Sequence, residues 1–183
     1  MRWESLFADL EAQLDGVTVH DRAAEVQEMV RIEKSQVMLS ARLVAWIGQS
    51  IDVTTLGGQR FSGEVTHVGT GWVTLAAAPL EYLVLTSAVR SLVADGARVA
   101  PDSDLRQTKI SLRMALRAVA RDRAPVTIYA LDGSAAATGT LDYVGVDFLQ
   151  IAAHSVGEYV SSSRVVARHV LPLSGIAALQ RSV

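Results

Sequence analysis

The sequence predicts an α+β fold: N-terminal helices followed by two tandem units, each a helix plus a small five-stranded β-barrel. Three observations carry this expectation. Apolar residues recur at helical spacing up to about residue 47, and from Ile51 the period changes to two. Glycine-marked turns cut the alternating regions into short strands. Finally, residues 131–153, LDGSAAATGTLDYVGVDFLQIAA, repeat residues 56–77, LGGQRFSGEVTHVGTGWVTLAA, in looser form.

Residues 1–48 form the N-terminal helices. Trp3, Leu6, Phe7, Leu10 and Leu14 give one apolar stripe, which Asp15-Gly16 ends because glycine readily adopts the left-handed conformation at a helix terminus. Asp21 caps a second helix reaching about Ile47, with Val26, Met29, Val30, Val37, Ala41, Val44 and Ile47 on its buried face and Gly48 at its end. At ~1.5 Å per residue this helix is roughly 40 Å long. That is longer than a small barrel is wide, so part of it is expected to pack on another helix or another subunit.

The first barrel spans residues 49–100. Strands are expected at 51–55, 61–68, 72–75, 81–85 and 88–93, with turns at Gly57-Gly58 and Gly69-Thr70-Gly71. A linking helix follows at 101–124, capped by Asp102 or Ser103, with Leu105, Leu112, Leu116 and Val119 as its apolar stripe. Pro125 stops it, and the second barrel occupies 125–183.

Composition narrows the functional classes. Half of the 183 residues are hydrophobic and a fifth are charged, a globular balance. Only ten are aromatic, so aliphatic residues must fill the core. Without cysteine there is no disulfide, thiolate metal site or thiol nucleophile. The most apolar window, 72–89, is broken by Pro79 and Glu81, and Glu4, Asp9 and Glu11 stand where a signal peptide needs a basic and then an uncharged run. A cytoplasmic protein with no membrane partner is expected.

Nine positions are identical between the two strand series. Leu56 and Gly58 match Leu131 and Gly133, Gly63 matches Gly139, and Val68-Gly69 matches Val144-Gly145. Ala76-Ala77 matches Ala152-Ala153, and Glu81-Tyr82 matches Glu158-Tyr159. On that alignment the second copy carries ten extra residues around 161–169, read as a functional loop or a lengthened hairpin.

The helix-plus-five-strand unit resembles the Sm-like superfamily. The resemblance rests on Val126-Thr-Ile-Tyr-Ala-Leu-Asp-Gly133, on Gly139, and on Asp142-Tyr-Val-Gly-Val-Asp-Phe148, which are similar to that family's first two strands, its mid-strand glycine and the acidic loop before strand three. It implies small barrels that assemble into rings through strands four and five, either between the two copies of one chain or among three chains forming a six-barrel ring. RNA-binding members carry a basic or polar loop between their last two strands. Leu85-Thr-Ser-Ala88 and Pro172-Leu-Ser-Gly175 stand there and contain no Arg or Lys, and the acidic loop keeps Asp147 in copy two but has Gly71 in copy one. The opening MRWESLFADLEAQ is similar to the start of an uncharacterised actinobacterial family, which implies no activity.

The sharpest local feature is a basic stripe of Arg106, Lys109, Arg113, Arg117 and Arg121, recurring every three or four residues. Residues 105–123 hold six basic residues against one acid, whereas residues 1–35 hold eight acids against four bases, in a chain of net charge −2. The stripe suits a phosphate backbone, the acidic helices of this chain, or solvent. Arg164, Arg168 and His169 are candidates for an anion-binding edge. Catalysis has little support: His20, His67, His154 and His169 lie at no metal-ligand spacing, and Ser161–Ser163 has no nucleophile setting. The expectation is a non-enzymatic scaffold or adaptor, without cofactor or metal, that self-associates and binds an unidentified protein. The alternative is RNA or DNA binding through the basic helix and the 161–169 edge.

Overall fold

The computed structural model describes residues 37–96, 109–153 and 167–182, together with Met29, Arg31 and Ser35. The chain divides into two compact units, Met1–Met38 and Leu39–Val183. In the first unit the predicted helix 2–14 and its Asp15-Gly16 stop lie outside the described residues. Met29, Arg31 and Ser35 are helical, but Val37 and Met38 are not, so the single long helix to Ile47 is not formed. Apolar spacing alone does not register so short an interruption.

The second unit begins with helix α1 (Leu39–Ala45) and strands β1 (Ser50–Thr55), β2 (Arg60–Gly69), β3 (Trp72–Ala77), β4 (Leu80–Leu85) and β5 (Val89–Ala94). Helix α2 (Leu112–Asp122) leads into β6 (Pro125–Ala130), β7 (Ala135–Val144), β8 (Phe148–Ala153), β9 (Ala167–Pro172) and β10 (Ile176–Ser182). Alternation explains the strands: β1 and most of β2 bury every second residue. Each half ends with a single 3-10 turn, Thr86–Ala88 and Leu173–Gly175, before its fifth strand.

All ten strands form one antiparallel sheet in the order β5-β1-β2-β3-β4-β10-β6-β7-β8-β9. This corrects the α+β expectation of two tandem barrels. Strands hold 58% of the described residues and helices 23%, a mainly-β fold. The physical reason is edge pairing: β10 occupies the outer edge of β4, so neither half closes on itself and β5 and β9 stand at opposite ends of the strand order.

The duplication is visible in the register. Gly63 and Gly139 both approach the backbone of the neighbouring strand so closely that a Cβ would lie 2.6 Å from the Ala76 carbonyl oxygen and 2.0 Å from that of Ala152. The irregularity between Val65 and His67 recurs between Leu141 and Tyr143, and the one where β1 meets β5 recurs where β6 meets β10. Such bulges bend a strand and increase its twist. Two cores result. Leu43, Val44, Ile51, Val53, Val65 and Leu75 fill the first, joined by Ala178 of β10. Leu116, Ile128, Leu141, Leu149 and Ile151 fill the second, joined by Trp72, Leu83 and Leu85 of the first half. Each core takes residues from the other half, which makes the junction part of the folded unit.

The strand pairing also corrects the end of the alignment. β9 is the counterpart of β4, so Glu81 and Tyr82 correspond to Arg168 and His169, not to Glu158 and Tyr159. The extra length of copy two lies before β9: residues 154–166, outside the described residues, join β8 to β9, whereas only Ala78 and Pro79 join β3 to β4.

Candidate functional site

Helix α2 starts later than expected. Ser111 is its N-cap, the hydroxyl accepting from the Met114 amide at 3.4 Å, and Arg123 ends it in the left-handed conformation. Asp102, Ser103 and Arg106 lie outside the described residues, and Lys109 precedes the helix. Leu116 is buried, with Leu112, Ala115 and Val119 packed beside it. Arg113, Arg117 and Arg121 are exposed. At 100° per residue these three lie on one solvent-facing stripe. No carboxylate among the described residues pairs with them.

Arg164 also lies outside the described residues, as do His20, His154 and Ser161–Ser163. Arg168 and His169 are exposed on β9, at one end of the sheet, where the Arg168 guanidinium lies 3.6 Å from Asp142. The structure thus places the predicted basic residues in two groups, one on α2 and one on an edge strand. No hydrogen bond or ion pair joins the groups among the described residues.

The side-chain contacts of the junction between the halves went unrecognised in the sequence, although pairing of the two copies through strands four and five was one of the arrangements expected. β4 and β10 pair in register from Leu80↔Ser182 to Val84↔Ala178, with Glu81 directly opposite Arg181. Arg181 donates through Nε to Glu81 at 2.7 Å and through Nη1 to Asp122 of α2 at 2.9 Å, so one side chain ties two strands and a helix. Tyr129 donates to Gln180 at 2.7 Å, and the Phe61 ring lies 4.9 Å from Tyr82 and 5.6 Å from Tyr129 between centroids. Burial and the neighbouring Tyr82 hold the Tyr129 phenol above its usual pKa. The carbonyl of Ile110 accepts from the Thr70 amide at 2.9 Å and the Trp72 indole at 3.0 Å, anchoring the start of α2 to the first half. Gly57 and Gly133 bring the two hairpin turns into backbone contact. The legible signal was Trp72, whose counterpart Phe148 has no N–H to donate.

Between α2 and the β3, β4 and β10 strands runs a groove of about 580 Å³, within the range of ligand and peptide sites. Trp72, Leu83 and Leu179 line it from the sheet, Met114 and Ala118 from the helix, and Glu81, Asp122 and Arg181 stand at its rim. His67 also lines it, beside threonines and not beside a carboxylate pair. Among the described residues no group of three or more His, Asp or Glu side chains could hold a metal ion, and no helix is long and apolar enough to cross a membrane.

Among the described residues no strand pairs with the outer edge of β5 or of β9. β5 and β9 are largely exposed, with Val93 at 65% and Val170 at 58% of full exposure. Comparison of the chain with protein-family models and with curated proteins found no match.

Proposed function

We propose that the chain is a non-enzymatic scaffold, a tandem Sm-like protein that self-associates through its sheet ends and acts through protein–protein contacts. One observation carries the reading: the two strands joined inside the chain and the two left at the ends of the described sheet are the same pair. β4 and β9 are equivalent positions of the repeat, as are β5 and β10, and β4 pairs with β10. The internal junction is therefore a template for the external one. Transferred in register, it sets Arg168 of one copy opposite Ala94 of a second, His169 opposite Val93, and Val170 opposite Leu92. Unpaired edge strands with exposed valines favour such pairing, and a head-to-tail contact closes into a ring when its rotation permits. Light scattering across micromolar concentrations tests this, and a mass that stays monomeric throughout removes it.

A second reading has its own support in the exposed face formed by Arg113, Arg117 and Arg121. An exposed basic stripe attracts phosphates, so RNA or DNA binding is the alternative, with Arg168 and His169 forming a separate edge. Anisotropy with single-stranded RNA at two salt concentrations separates the readings. Binding abolished by Arg113→Glu with Arg117→Glu supports nucleic acid, and no binding at about 50 mM salt ends that alternative.

A further inference from the structure

We propose that the groove between α2 and the β3–β4–β10 face is a docking site for an amphipathic helical peptide bearing acidic residues beside its apolar stripe. Three observations combine. The groove is apolar where a ligand would lie, with Trp72, Leu83 and Leu179 as floor and Met114 as wall. Ala118 is exposed at the middle of the helical wall, and its small side chain leaves room for a partner's apolar residues. Helix α2 has 11 residues, about 16 Å at ~1.5 Å each, which matches the length over which an i, i+4, i+7 set of anchors engages a groove.

Charge selects the class of partner. None of Arg113, Arg117 and Arg121 lines the groove, but Arg117 and Arg121 each stand three positions after a groove-lining residue (Met114 and Ala118), about 60° round the helix, so the basic stripe flanks the groove's solvent edge. Glu81 and Asp122, at the rim, are already bound to Arg181. An anionic headgroup seated within the groove would face those two carboxylates. A helix laid in the groove places its flanking residues over the lip, where acidic side chains meet three exposed guanidiniums that pair with no carboxylate among the described residues. The arrangement therefore fits an acidic amphipathic helix better than an anionic acyl chain. This inference deepens the scaffold reading and rests on it, because it names the kind of protein segment the scaffold would hold.

The test uses the full chain and a fluorescein-labelled synthetic peptide with leucines at i, i+4 and i+7 and glutamates beside them, read by anisotropy. Micromolar binding is expected, weakened by added salt. Ala118→Trp, which fills the groove, and Arg113→Glu with Arg117→Glu, which reverses the lip, are each expected to weaken binding at least tenfold. Should Ala118→Trp fail to fold, Met114→Asp on the exposed wall replaces it. Equal binding of a scrambled peptide of the same composition would overturn the proposal, as would unchanged affinity in the groove variants. Displacement of the peptide by dodecanoate at lower concentration than by unlabelled peptide would overturn it in favour of a lipid. Absence of peptide binding by a chain that still self-associates removes the docking site and leaves the scaffold reading intact; loss of self-association with retained peptide binding does the reverse.

Discussion

Replacing Gly139 by alanine tests the strand geometry most severely. Gly139 is buried in β7, paired with Val126 on one side and Ala153 on the other. A Cβ at this position would lie 2.0 Å from the Ala152 carbonyl oxygen, with the Ala152 carbonyl carbon at 2.8 Å and the Ala153 Cα at 2.9 Å. Ordinary carbon–oxygen approach between strands is about 3.3–3.6 Å, so β7 and β8 must separate by roughly 1 Å or more. The obstacles are all backbone, and no side chain can rotate away. Weakening two ladder hydrogen bonds costs about 1 kcal/mol each, and overpacking adds about 1–3 kcal/mol. The expected loss is about 3–5 kcal/mol, or roughly 10 °C in Tm for a unit of this size. Gly63→Ala, with its Cβ 2.6 Å from the equivalent oxygen, should lose about half as much. Gly71 has no neighbour within 4 Å and costs only its positive φ, about 1–2 kcal/mol. Urea denaturation of the three variants gives the order. A Gly139→Ala variant no less stable than Gly71→Ala would refute the close approach of β7 to β8.

Three further outcomes follow from the junction and the turns. Arg181→Met should destabilise by about 1 kcal/mol, a modest figure because Arg181, Glu81 and Asp122 are a third or more exposed and screened; the difference should shrink in high salt, as denaturation with and without added NaCl would show. Trp72→Phe converts the residue to its counterpart in the other half and removes the bond to Ile110, at about 1 kcal/mol for the hydrogen bond, measured by chemical denaturation. The Asp132 carboxyl is held below the usual aspartate range by the Ser134 hydroxyl at 2.7 Å and then by the Ser134 amide at 2.8 Å. Because the folded pKa is depressed, its contribution to stability is present above the unfolded pKa and lost as pH falls through the folded one. NMR titration should show Asp132 moving back toward the ordinary range in Ser134→Ala.

Local structure was readable where a physical signal is local. Alternation and glycine turns located strands one to five of the first half to within a residue or two, and the three arginines of α2 share a face as their spacing required. The unit boundaries of the repeat were visible because Gly63 and Gly139 answer the same steric demand. What failed was long-range. Pairing of strand four with the fifth strand of the other copy was one arrangement the Sm-like resemblance implied, but a period of two does not say whether each half also closes on itself, so two barrels were expected where one sheet forms. The matching of Glu81-Tyr82 to Glu158-Tyr159 followed letter identity, while backbone pairing follows the edge of β8 and selects Arg168 and His169. Nothing in the sequence singled out Arg181, because its partners Glu81 and Asp122 are remote in sequence. The start of α2 moved to Leu112 because Thr70 and Trp72 hold the Ile110 carbonyl.

The central claim is that the strand pair joined within the chain is offered again at the two ends of the sheet. Sedimentation or light scattering of the wild type beside Val170→Lys and Val93→Lys measures it most directly, since both positions are exposed on the free edges and neither contributes to a described core. The account predicts a wild-type mass that rises with concentration above that of one chain, and variants that remain monomeric with unchanged melting. A wild type that is monomeric at every concentration, or edge variants that associate as the wild type does, would contradict it.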